Sequence, residues 1–210
     1  FKMADERYKE ITVRMLLNHS SGIMGSLYAN SGLYDYPTTL NHDDFLAQIA
    51  KQKLKGDPGE FSVYCNDGFT LAELVIERIS GMSFSEYIRQ NISEPLGMTN
   101  TKTPQDDFDR NRLARTFINE EETPIETLNM IGAGGVYSTA EDLCRLGQAY
   151  MNDPRYVAAA KLLSQDAKTK TMQKEYLRGI GPEQNEGLFG YGLGWDSVDA
   201  YPYSQYNIQS

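Results

Sequence analysis

Hydrophobic and polar positions along the chain alternate with helical rather than strand periods over most of its length, separated by polar, Gly- and Pro-marked loops. Thr12 precedes the apolar run Val13-Arg14-Met15-Leu16-Leu17, which predicts a short helix closed by Asn18-His19-Ser20-Ser21-Gly22. Asp43-Asp44 opens a second apolar-periodic stretch that reaches about Lys51. The strongest signal is Asp67 to Ser80: Phe69, Ala72, Leu74, Val75, Ile76 and Ile79 form a wide apolar face, and Gly81 supplies the stop. That pattern predicts a core helix. Ser83 with Glu86 reads as a capping box for Phe84 to Asn91, and Ser138 with Glu141 as another for Ala140 to Tyr150. Pro95 and Pro154 are expected to end those segments. Stretches 24–41 and 99–127 have no period and predict long loops. Phe189-Gly190-Tyr191-Gly192-Leu193-Gly194-Trp195 alternates bulky residues with Gly and predicts a strand packed close to another backbone. No second strand is signalled, so the sheet partner is expected from outside the 210 residues.

Composition narrows the class. Hydrophobic residues at 40% and charged residues at 23% describe a folded globular chain, long enough for a real core. Asp and Glu outnumber Lys and Arg by 29 to 20, and the formal charge of −9 argues against nucleic-acid partners and anionic lipid surfaces. No apolar run approaches the roughly 20 residues that cross a bilayer. Cys65 and Cys144 match neither a paired metal-ligand spacing nor a disulfide-stapled scaffold. They read as two half-buried thiols, with a bridge between them left open. Neither a cofactor nor a metal is expected: two histidines without spaced carboxylate partners do not make a site, and His42 beside two acids reads as solvated.

The chemistry concentrates in Asp57-Pro58-Gly59-Glu60-Phe61-Ser62-Val63-Tyr64-Cys65-Asn66-Asp67-Gly68, a Pro-Gly turn, a short extended stretch and then Tyr-x-Asn at the mouth of the core helix. Three more stretches stand in order around it: Ile11-Thr12-Val13-Arg14-Met15-Leu16-Leu17-Asn18-His19-Ser20-Ser21-Gly22; Ile79-Ser80-Gly81-Met82-Ser83-Phe84 with Glu94-Pro95-Leu96-Gly97-Met98-Thr99-Asn100-Thr101; and Gly132-Ala133-Gly134-Gly135-Val136-Tyr137-Ser138-Thr139-Ala140-Glu141-Asp142-Leu143. Together they resemble the penicillin-recognising serine hydrolases, the superfamily of serine β-lactamases, penicillin-binding proteins (D-alanyl-D-alanine peptidases) and related esterases. The resemblance implies an α/β (α+β), β-lactamase/transpeptidase-like fold. This chain would supply mainly the helical region of one domain over 1–210, with helices and long loops over 1–188 and the start of the C-terminal sheet over 189–210.

By that resemblance the reaction is acyl transfer through a Ser-x-x-Lys nucleophile, in which Tyr64 shuttles protons and Asn66 holds the substrate amide and the Lys head. A phenol with a pKa of about 10 is a poor base near neutrality, so Tyr64 needs a neighbouring ammonium. An asparagine amide donates and accepts without adding charge. Read from the residues alone, Tyr64 could also be one packing tyrosine among fourteen, and Asn66 a helix-entry cap. Cys65 stands where the family more commonly has Ser or Ala. No serine in the chain is followed three residues later by lysine, and the third family motif, Lys-Thr-Gly or His-x-Gly, is absent too. The chain is therefore expected to be inactive by itself, as part of an extracytoplasmic hydrolase of D-alanyl peptides, β-lactams or related amides and esters. Self-association through an uncovered apolar face is also expected. The alternative is a non-catalytic ligand-binding or interaction module that keeps the fold. His19-Ser20-Ser21 is read as a helix-ending turn, since sequence neighbours rarely meet base geometry, and Gly132 to Gly135 as scaffolding.

Overall fold

The structure, a computed structural model, describes residues 2–25, 33–34, 42–127, 130–151, 155, 161–175 and 191–195. Among the described residues the α-helices are α1 (Val13–Leu17), α2 (His42–Ile49), α3 (Asn66–Ser80), α4 (Phe84–Ile88), α5 (Glu94–Leu96), α6 (Ile131–Gly134), α7 (Ala140–Gln148) and α8 (Gln165–Met172). The strands among the described residues are β1 (Leu33–Tyr34), β2 (Thr116–Ile118), β3 (Glu121–Thr123) and β4 (Glu126–Thr127). The chain divides into two compact units, the first formed by Phe1–Ser26, Leu46–Ala72 and Ser164–Ser210, the second by Leu27–Phe45 and Glu73–Leu163.

In the first unit Met3, Leu16, Ile23, Ile49, Leu54 and Cys65 are buried. α1 starts as expected, with the Thr12 hydroxyl accepting from the Met15 N–H at 3.3 Å. Asp5 begins a short 3-10 turn (Glu6–Glu10) and accepts from the Arg7 guanidinium at 3.0 and 2.7 Å and from the Leu54 N–H at 3.0 Å. Those bonds hold its carboxyl well below the usual carboxylate range. Arg7 reaches on to Asp57 at 2.6 Å, so one guanidinium ties the N-terminal turn to the loop that leads into Tyr64. Gly68 lets α3 approach α1: a Cβ there would lie 3.2 Å from the Leu16 carbonyl oxygen.

In the second unit Leu96, Met98 and Ala149 form a buried cluster covered by Ile92, Leu146, Tyr150 and Leu162. Here the helices depart from expectation in instructive ways. α4 begins at Ser83, whose hydroxyl accepts from the Glu86 N–H at 3.2 Å, but Glu86 turns to Gln90 at 2.7 Å. Pro95 does not end this segment. A π-helical turn (Arg89–Ser93) intervenes, and Pro95 sits in the first turn of α5, directly after it. The stop comes at Gly97, with φ of 67°. The cap of α7 lies one residue later than expected: Thr139 accepts from the Asp142 N–H at 3.3 Å, while Ser138 bonds Thr101 at 2.9 Å.

α3 runs the expected length, but its buried stripe is polar. Asp67, Thr70 and Glu73 are buried at spacings of three, Phe69, Ala72, Leu74, Val75 and Ile76 are only half-buried, and Ile79 is 82% exposed. The period is that of an amphipathic helix, but the fully buried positions are these polar ones, with Glu73 bonded to His42 and to the Gly132 N–H.

The two aperiodic stretches hold the described strands. β2 and β3 form an antiparallel hairpin, Ile118 paired with Glu121 across Asn119 and Glu120, both at positive φ. β1 pairs antiparallel with β4. In contrast, Tyr191–Trp195, the described part of the expected C-terminal strand, is a turn: the Gly192 N–H bonds the Trp195 carbonyl at 2.9 Å and Gly194 has φ of 80°. Phe189 and Gly190 lie outside the described residues, as does Pro154. Both cysteines are free, Cys65 buried and Cys144 exposed, so neither is the half-buried thiol expected.

Candidate active site

The Tyr-x-Asn stretch is built within the first unit from the residues after α1. The Val63 N–H donates to the His19 carbonyl at 2.9 Å, and the Ser62 hydroxyl to the Asn18 carbonyl at 3.0 Å, so residues 62–63 lie along the turn that closes α1. His19 adopts φ of 63°, an uncommon conformation for a residue with a Cβ, and is buried. That twist turns its ring inward. Nδ1 accepts from the Cys65 N–H at 3.0 Å, which assigns the ring proton of the neutral form to Nε2.

The same imidazole packs against three aromatic rings. Its centroid lies 4.7 Å from Tyr64, 5.1 Å from Phe69 and 4.7 Å from Tyr191, the last edge-on. Tyr64 is thus supported on one face and remains 49% exposed. Asn66 is the first residue of α3 and half-buried, two positions along on the other side of the anchored Cys65 peptide. Tyr191 reaches this place because the Glu175 N–H bonds its carbonyl at 2.8 Å and the Leu193 N–H bonds that of Thr171 at 2.8 Å. Glu175 in turn accepts from Asn18 at 3.1 Å and from Arg14.

Cys65 faces inward, and burial pushes its thiol up. It is a thiol near neutrality and not a nucleophile. Lys55 is in the same unit; desolvation lowers its amine below the ordinary lysine value, against the opposing fields of Cys65 and Asp67.

Three features escaped the sequence reading. His19 stands 46 residues before Cys65, and no spacing rule joins a turn histidine to a later backbone N–H. Tyr191 fell in a segment read as a strand. His42, read as solvated, is flanked by Glu73 and Glu77 at 3.1 and 3.5 Å, and its side chain is only 19% exposed. The hydrogen bond its ring donates to the Glu73 carboxylate raises its pKa above the ordinary value.

A mainly helical body with short antiparallel ladders and a Tyr-x-Asn pair at a helix mouth is the β-lactamase/transpeptidase-like class. The chain belongs to the Beta-lactamase family, whose sequence profile matches residues 2–203. It is 29% identical over 73% of its length to penicillin-binding protein 4* of Bacillus subtilis (strain 168), covering 38% of that protein. It is likewise 29% identical over 88% of its length to the D-alanyl-D-alanine-carboxypeptidase/endopeptidase AmpH of Escherichia coli (strain K12), covering 48% of it. Among solved structures, SurE with D-Leu aligns with a TM-score of 0.66 at 26% identity, over 89% of this chain and 42% of that one. A D-stereospecific amidohydrolase from Streptomyces sp. gives 0.67 at 24% identity, over 92% and 58%, a likeness of fold. The chain spans about half or less of the length of these curated relatives.

Proposed function

We propose that the chain supplies Tyr64 and Asn66 to the active site of a serine hydrolase that works through an acyl-enzyme. The carrying observation is Tyr64 itself, half exposed yet held by a buried histidine ring at the mouth of α3. In this reading the phenol passes the proton between a serine nucleophile and the leaving group. Asn66 positions the acyl-side amide of the substrate. The nucleophile comes from outside the 210 residues, since no Ser-x-x-Lys lies within them. The substrate is a small amide, ester or peptide of the D-alanyl or β-lactam type. A carboxypeptidase/endopeptidase and a penicillin-binding protein among the relatives support that choice, and also a location outside the cytoplasm.

The test uses the full-length protein carrying a Ser-x-x-Lys. Tyr64→Phe should lower the acylation rate by about 10²- to 10⁴-fold, the usual range for a lost acid–base group, with folding intact. A rate within twofold of wild type would make Tyr64 a packing residue. In the same assay the 210-residue chain should turn over neither a chromogenic cephalosporin nor a D-alanyl peptide. Turnover above background by the pure chain would place the nucleophile inside it.

A further inference from the structure

We infer that His42, Glu73 and Glu77 form a divalent-metal site suited to zinc, which fastens the start of α2 to the middle of α3 within the second unit. Glu73 and Glu77 stand one turn apart on the same face of α3. His42 opens α2, with Nε2 3.1 Å from Glu73 Oε1 and Nδ1 3.5 Å from Glu77 Oε2. One ligand atom from each of the three residues lies within 4.8 Å of the other two.

The carboxylates are held as ligands are held. Glu73 Oε2 accepts from the Gly132 N–H at 2.7 Å, leaving Oε1 toward His42. The other oxygen of Glu77, Oε1, accepts from the Phe84 N–H at 2.8 Å, leaving Oε2 toward the same ring. Backbone donors that fix one oxygen and free the other are the usual outer support of a metal-binding carboxylate. Gly132 thereby gains a specific role in its glycine turn.

Charge argues the same way. The Glu73 side chain is fully buried and that of Glu77 only 21% exposed. Among the described residues no lysine or arginine pairs with either, and Asp43 adds a further negative charge beside the ring. With a neutral imidazole the two carboxylates leave a charge of −2, which burial penalises heavily. A divalent cation cancels it in full, whereas an imidazolium cancels half. One imidazole nitrogen and two carboxylate oxygens suit zinc, with a fourth position for water; calcium and magnesium prefer all-oxygen shells of six or more. Zinc bonds of about 2.0–2.2 Å put donor atoms about 3.3 Å apart, so the His42–Glu73 pair already has the spacing. The partly exposed Glu77 closes the remainder by swinging from Nδ1 toward the ion.

The experiment uses the purified 210-residue chain, stripped with EDTA and titrated with zinc chloride by calorimetry, with metal content measured after dialysis. One equivalent per chain should bind with micromolar or tighter Kd and raise Tm. Glu77→Gln and His42→Gln should each weaken binding at least about tenfold while circular dichroism and the metal-free Tm show them folded. Cobalt(II) should give a visible spectrum without thiolate charge transfer, and Cys144→Ser should change nothing. Absence of stoichiometric binding, or binding equal in the wild type and both variants, would overturn the site and leave His42 as an ion-paired imidazolium. A thiolate signature would overturn it in favour of a cysteine-bound ion. None of these readouts depends on the hydrolase activity.

Discussion

His19 holds the Tyr64 stretch through three separate contacts. It supplies an acceptor to the Cys65 N–H, a carbonyl to the Val63 N–H and a ring face to Tyr64, all from a left-handed backbone position. Two substitutions separate these roles. His19→Phe keeps a ring and removes the acceptor, leaving the Cys65 N–H buried and unbonded; the expected loss is about 1–3 kcal/mol in urea denaturation. His19→Asn suits the left-handed conformation and keeps an acceptor, so its loss should come from the missing ring contacts with Tyr64, Phe69 and Tyr191. If His19→Phe unfolds within 0.5 kcal/mol of wild type, taken as roughly the scatter of an innocuous surface change, the hydrogen bond contributes nothing to holding the Tyr64 stretch.

Among the elements, α7 shows how a buried acid can organise both a helix start and the loop before it. Asp142 lies in the first turn of α7, where a negative charge favours the helix dipole. Its Oδ2 accepts from the Asn100 N–H at 2.8 Å and the Thr101 hydroxyl at 3.0 Å. Asp142→Ala removes charge-assisted bonds from one buried and one half-buried donor and should cost about 2–3 kcal/mol; Thr139→Ala removes one cap and should cost about 1 kcal/mol. Chemical denaturation of both variants checks the order, and a larger loss for Thr139→Ala would show that the cap, not the buried acid, anchors Asn100 and Thr101.

At the scale of the whole molecule, the exposed apolar residues set the expected behaviour in solution. In the first unit Val13, Met24, Tyr64 and Trp195 are exposed; in the second, Ile79, Phe117, Ile118 and Leu143. Contiguous apolar patches of more than a few hundred Å² drive association, and the half-buried apolar residues of α3 with the exposed Ile79 would contribute to one. The 210-residue chain should therefore self-associate at micromolar concentration in sedimentation velocity and bind hydrophobic dyes. A monodisperse monomer with no dye binding would show that the half-buried residues close their own core. The net charge of −9 opposes this association, so added salt should strengthen it.

Much of the local structure was already written in the order of residue types. Thr12 and Ser83 cap helices because a hydroxyl at that position accepts an orphan N–H whatever the rest of the chain does, and the period from Asn66 to Ser80 belongs to one helix. The four ordered motifs pointed to the family for the same reason: they are short and contiguous. The hairpin at Asn119-Glu120 was hidden because its turn lacks the glycine that usually announces positive φ, and both strands are exposed and without an apolar face. The bonding of the buried Glu73 in α3, the shift of the α7 cap to Thr139 and the fate of Tyr191–Trp195 were decided by partners distant in sequence: Gly132 for Glu73, Thr101 for Ser138, Thr171 for Leu193. His19 and His42 make the same point with more consequence. Each looked like a loop histidine, and each acquired its chemistry from groups tens of residues away, because a side chain's environment is a property of packing and not of its neighbours along the chain.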